Sequence, residues 1–157
     1  EHSMIWKCKD TGVWKKSRPD CIPNDSGDFA DIKTTPSVLY DDVQRTLGDF
    51  GYHQQGALVC EGYHALTGNT ESTFTLVFVE KTAPYCVRIC TLWHEDLVRG
   101  ELQNYAAADI FAKCVKDGVW PGPADGAADA EYMHLPEWAT KRIDRQMDKL
   151  QGKMETA

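Results

Sequence analysis

One short pattern constrains this chain more than any other: Arg18-Pro19-Asp20, then Asp31-Ile32-Lys33. It sets two carboxylates and a lysine in the order Asp…Asp-x-Lys. On a β-strand, Asp31 and Lys33 project to one face because the side-chain period is two. A second carboxylate brought alongside would complete an oxygen-rich site for a hard cation beside an ammonium group. Those are the parts that phosphodiester hydrolysis needs. Taken alone the pattern is loose and also fits surface charges on a hairpin.

Composition narrows the setting. The chain has 157 residues, enough for one domain or part of one. An apolar fraction of 42%, with five Trp and six Tyr, supplies a core and argues against disorder. No apolar run has the length of a membrane span, and no secretion signal is visible. The first residue is Glu1 and not Met, as expected of a fragment or a processed product. Six cysteines are scattered without a C-x-x-C pair. That spacing argues against zinc and fits reduced thiols in a cytoplasm.

The net charge of −7 is not that of a protein gripping nucleic acid over its whole surface. Yet Lys7, Lys9, Lys15, Lys16 and Arg18 crowd one stretch just before Asp20. They read either as a solvated hairpin or as contacts for phosphate.

Along the chain, Met4–Cys8 and Val13–Arg18 read as two strands about a turn at Asp10-Thr11-Gly12. A turn at Pro23–Gly27 leads to a third strand, Phe29–Lys33. On it, burial of Ala30 and Ile32 would leave Asp31 and Lys33 facing a cleft. Ser37 is the expected N-cap of a helix carrying Asp41 and Asp42, broken at Gly48–Gly51. A helix over Tyr52–Leu66 aligns Tyr52, Gln55, Val59, Gly62 and Leu66 in one stripe. Strands follow at Thr73–Glu80 and Tyr85–Leu92. A long helix, Glu95–Lys116, has an expected buried stripe of Leu97, Tyr105, Ala108, Ala112 and Val115. Pro123–Glu131 reads as a linker, and Ala139–Lys153 as a charged helix or tail. The expected fold is therefore α+β (α/β-like), a central mixed β-sheet flanked by helices. The expected division is a core at 1–122 and a linker with a helical tail at 123–157.

With the acidic pattern placed after a hairpin and before a helix, a resemblance emerges. The chain resembles the nuclease domain of RecE-type exonucleases. These belong to the PD-(D/E)xK superfamily, with its restriction-endonuclease-like core, lambda exonuclease and the RecB nuclease domain. The matching pieces run in order: Thr11-Gly12…Arg18-Pro19-Asp20, Asp31-Ile32-Lys33-Thr34-Thr35 and Tyr52-His53-Gln54-Gln55. They continue with Phe78-Val79-Glu80-Lys81…Pro84-Tyr85, Gly118-Val119-Trp120-Pro121-Gly122 and Leu135-Pro136-Glu137-Trp138-Ala139.

The resemblance implies that Asp20, Asp31 and the Ile32 carbonyl hold Mg²⁺, with Mn²⁺ able to substitute. It implies that Lys33 activates the attacking water and that Gln55 stands beside the catalytic centre. Lys15, Lys16, Arg18 and Tyr52 are the expected DNA contacts. The implied activity is 5′-to-3′ digestion of one strand of linear double-stranded DNA in phage-type recombination within a bacterial cytoplasm. A ring-like homo-oligomer and a single-strand annealing partner of the RecT kind are implied with it. Relatives of the RecB and RecE kind add a metal ligand from helices upstream of the first hairpin, and this sequence has no match to that motif. The rival expectation is accordingly a catalytically inactive module of the same fold that binds DNA or protein.

Overall fold

The computed structural model describes residues 2–22, 26–122, 130 and 132–154. The expected turn at Pro23–Gly27 and linker at Pro123–Glu131 lie partly or largely outside them. The chain divides into two compact units, Glu1–Val119 and Trp120–Ala157.

In the first unit, β1 (Met4–Lys7) and β2 (Trp14–Ser17) form an antiparallel hairpin. Gly12, at φ +69°, closes its turn by donating to the Cys8 carbonyl, a left-handed conformation that costs glycine little. A three-stranded sheet has the order β3-β4-β5, built from β3 (Asp28–Thr35), β4 (Thr73–Glu80) and β5 (Val87–Thr91). β3 and β4 are parallel, so the chain must cross over between them. The crossover is α1 (Tyr40–Asp49) and α2 (Tyr52–Thr67). β4 and β5 pair antiparallel, and α3 (His94–Asp117) follows. The mixed sheet and its helices give the α+β fold that the strand and helix periodicities predict.

Alternation along β4 makes the core. Phe74, Leu76 and Phe78 are fully buried on one face, where they meet Phe29 of β3 and Val59 of α2. Two glycines let the layers close. A Cβ on Gly62 would lie 2.7 Å from the Trp6 ring, so the hairpin packs on α2 only because that atom is missing. A Cβ on Gly100 would lie 2.4 Å from the His53 carbonyl oxygen, so α3 crosses α2 at backbone distance.

Several sequence expectations are corrected. The packed face of β3 carries Phe29, Asp31, Lys33 and Thr35, whereas Ile32 is exposed. Phe29 decides this: it joins the aromatic layer of β4 and carries Asp31, two residues on, inward with it. Ser37 does not cap α1. Its hydroxyl accepts the Leu39 N–H in a short turn, and the helix begins at Tyr40 with Leu39 at the cap position. β5 starts at Val87, not Tyr85, because Tyr85 takes φ +58° and leaves the extended region. On α3, Leu97, Gly100 and Ala108 are buried, whereas Tyr105 and Val115 are exposed. On α2, Leu66 is exposed as well.

The second unit contains α4 (Glu137–Met154), whose first turn closes on the Pro136 carbonyl. The Arg142 guanidinium lies 5.6 Å from the centre of the Trp138 ring. Among the described residues no helix is long and apolar enough to cross a membrane.

Candidate active site

The site is built where the chain leaves the hairpin and meets the open edge of β3. Pro19 is fully buried and anchors the segment. Cys21 then bridges Ala30 through two backbone hydrogen bonds, of 3.0 and 3.3 Å. Backbone polar groups alternate direction along a strand, so Ala30 and Ile32 both turn theirs to this edge. The Ile32 N–H donates to Asp20 Oδ2 at 3.0 Å. By the same alternation the Ile32 carbonyl opens to this edge too. Asp20 and the Ile32 backbone, twelve residues apart in sequence, are thus brought together.

Asp31 and Lys33 flank Ile32 and face the helix layer. Asp31 is 3% exposed. The Lys33 ammonium forms an ion pair with Asp31 Oδ2, although that oxygen makes no hydrogen bond of proper geometry. The same ammonium lies 5.0 Å from the centre of the Tyr52 ring, a cation–π contact. Tyr52 is itself fixed between Phe50 (5.9 Å, stacked) and Phe78 (6.0 Å, tilted). Gln55 lies three residues along α2 from Tyr52, on the same side of the helix and half-buried.

Of the expected DNA contacts, Lys15 needs correction. Its ammonium meets both Glu61 oxygens at 2.8 and 2.9 Å, and its side chain is 9% exposed. Glu61 also accepts the Trp6 indole N–H at 3.0 Å. Lys15 therefore ties the hairpin to α2 and is not presented to a phosphate. No spacing rule links positions 15 and 61, so sequence carried no signal for Glu61. Lys16, one residue on, points the opposite way and is exposed beside Ile5 and Trp14, as alternation requires. Arg18 is exposed.

All six cysteines are free thiols. Burial pushes the Cys60 and Cys90 thiols up, and a hydrogen bond with Thr11 holds Cys8 down.

Among the described residues, no group of three or more His, Cys, Asp or Glu gathers to hold a metal ion. The oxygens on offer are instead those of Asp20 and the Ile32 carbonyl at the β3 edge, and of Asp31, the residue before Ile32, turned toward the helix layer. That all-oxygen set fits Mg²⁺, which uses one or two protein carboxylates and keeps several of its waters.

The sequence profile of a PDDEXK-like domain of unknown function (DUF3799) matches residues 1–135. The crystal structure of a "Putative exonuclease" from Eubacterium rectale aligns with a TM-score of 0.62 at 17% identity. The alignment covers 86% of this chain and 53% of that one, so the chain spans about half the length of that structure. At this identity the likeness is one of fold. No curated protein matches the sequence significantly.

Proposed function

The chain belongs to the PDDEXK-like family, and from that premise we propose that it is a metal-dependent deoxyribonuclease. The observation that carries the reading is the hydrogen bond from the Ile32 N–H to Asp20. It fixes one carboxylate on the residue that Asp31 and Lys33 flank. Asp20, Asp31 and the Ile32 carbonyl would hold Mg²⁺. When bound, the ion supplies Lewis-acid polarisation of a phosphate oxygen and a more acidic water.

The chain's own residues do the rest. Lys33, held under Tyr52, orients the attacking water and offsets charge on the scissile phosphate. Water adds to phosphorus, the bond to the 3′ oxygen breaks, and a proton passes to that oxygen, leaving a 5′-phosphate. Buried Asp31 keeps Lys33 in place between turnovers. Gln55, one turn beyond Tyr52 on α2, would hold the attacked nucleotide.

The finer reading is 5′-to-3′ exonuclease action on linear duplex in phage-type recombination, in a ring-like homo-oligomer working with a RecT-type annealing protein in a bacterial cytoplasm. The resemblance of the spaced motifs supports it. A ring also suits the acidic net charge, because basic residues such as Lys16 can line a channel while the outside stays negative.

One observation favours a second reading, a non-catalytic module of the same fold. Asp31 is already neutralised by Lys33. The experiment separates the two. The chain and a Lys33→Ala variant are incubated with Mg²⁺ and either linear or closed-circular duplex. Loss of linear DNA alone, abolished in the variant, supports exonuclease action. Digestion of circles assigns endonuclease action, and no digestion by either protein supports the non-catalytic module.

A further inference from the structure

A cavity of about 530 Å³ opens between α1, β5 and the start of α3. That volume suits a small organic ligand. Its walls are apolar, with Leu47 among them, and two exposed aromatic side chains stand at it: Tyr40 and Trp93, the latter 76% exposed. Two guanidinium groups line it as well. The Arg88 Nε donates to the Val38 carbonyl, which fixes this side chain at the wall. Arg99 meets Asp96 Oδ1 at 2.6 Å through one of its nitrogens, and with two guanidinium groups against one acid the lining keeps a net positive charge to which both contribute. Flat aromatic surfaces beside fixed cations are what a nucleotide recognises, the base by stacking and the phosphate by charge.

The position of the cavity ties it to the site above. Lys33 pairs with Phe78, and Phe78 pairs with Arg88, so the three occupy one row across the sheet. Two strand spacings, about 10 Å, separate the ends of that row. At the start of α2, Tyr52 serves the Lys33 side and His53 lines the cavity. The stacked Phe50 and Tyr52 contribute an aromatic ridge to the same helix start. A single strand whose phosphate faces Lys33 can cross that ridge within a short run of nucleotides.

We propose that this cavity is a subsite for an unpaired nucleotide of the DNA strand engaged at Lys33, with its base against Trp93 and Tyr40 and its phosphate toward Arg88 and Arg99. The proposal rests on the nuclease reading and adds to it a second point of contact on single-stranded DNA.

The test is fluorescence anisotropy of a short fluorescein-labelled oligothymidylate with the full chain in EDTA, where no hydrolysis can intervene. Trp93→Ala and Arg99→Gln are each expected to raise Kd about tenfold, the scale of losing one stacked base or one phosphate partner. Trp93→Phe keeps an aromatic face and is expected to recover most of the affinity. Thermal melting of each variant confirms that it is folded. Unchanged Kd in both Trp93→Ala and Arg99→Gln would overturn the subsite. Saturable binding of dTMP that the oligonucleotide does not displace would also overturn it, assigning the cavity to a free nucleotide. The nuclease reading is scored separately, by hydrolysis in Mg²⁺. A chain that cuts no DNA, yet binds the oligonucleotide in a Trp93- and Arg99-dependent way, refutes that reading and leaves the subsite standing.

Discussion

Asp20 Oδ2 accepts the backbone N–H of Ile32 at 3.0 Å, at the edge of β3 that faces away from β4. The carboxylate thus satisfies an edge amide and at the same time stands beside the residue between Asp31 and Lys33. Its two roles can be separated by substitution. Asn at position 20 keeps an oxygen for the Ile32 N–H but loses the charge. Asp20→Asn is expected to unfold within ~0.5 kcal/mol of the parent, because the bond lies at an exposed position. It is also expected to lose at least about a hundredfold in DNA hydrolysis. Asp20→Ala loses both, with an added ~1 kcal/mol of instability. Denaturant unfolding and hydrolysis of a labelled duplex, run side by side, check the separation. Full activity in Asp20→Asn would remove Asp20 from the metal site.

Adjacent lysines on β2 have opposite expected phenotypes. Lys15 is held by Glu61 under the hairpin, and Lys16 faces outward. Lys15→Met should destabilise the fold by ~1–3 kcal/mol, since Glu61 loses a charge-assisted partner in a largely buried place. Lys16→Met should leave the unfolding midpoint nearly unchanged while weakening duplex binding and flattening its salt dependence. Equilibrium unfolding and DNA binding at two salt concentrations distinguish them.

The Tyr52 ring lies 5.0 Å from the Lys33 ammonium. If it positions that lysine, the ring matters and the hydroxyl does not. Tyr52→Phe should retain most hydrolysis, whereas Tyr52→Leu should lower kcat several-fold, the scale of a partly buried cation–π contact. A kcat loss of equal size in both variants would point to the hydroxyl instead.

Two glycines give a contrast that tests the helix packing. Gly100→Ala would drive a methyl into the His53 carbonyl and separate α3 from α2. A cost of ~1–3 kcal/mol follows, which lowers the melting temperature by several degrees in a chain of this size. A Cβ at Gly48 in α1 meets nothing within 4 Å. Gly48→Ala should therefore stabilise by ~0.5–1 kcal/mol through the reduced backbone entropy of the unfolded chain. Calorimetric melting of the two variants checks both signs.

Local chemistry fixed much of this protein in advance. Alternation in Thr73–Glu80, Gly68 and Gly118 at the left-handed C-caps of α2 and α3, and the carboxylates opening α1 mark elements close to their observed bounds, because those signals act between near neighbours. The spacing of Asp31 and Lys33 put both on one face before any coordinates, since strand geometry alone requires it. Tertiary packing decided which face that was. Phe29 had to join Phe74, Leu76 and Phe78, and Asp31 was carried inward with it. Packing also withdrew Lys15 from the surface, through an acid 46 positions away, and gathered Tyr40, Arg88 and Trp93 around one cavity. Contacts of that reach depend on how whole layers settle against one another, and a one-dimensional pattern holds no trace of that arrangement.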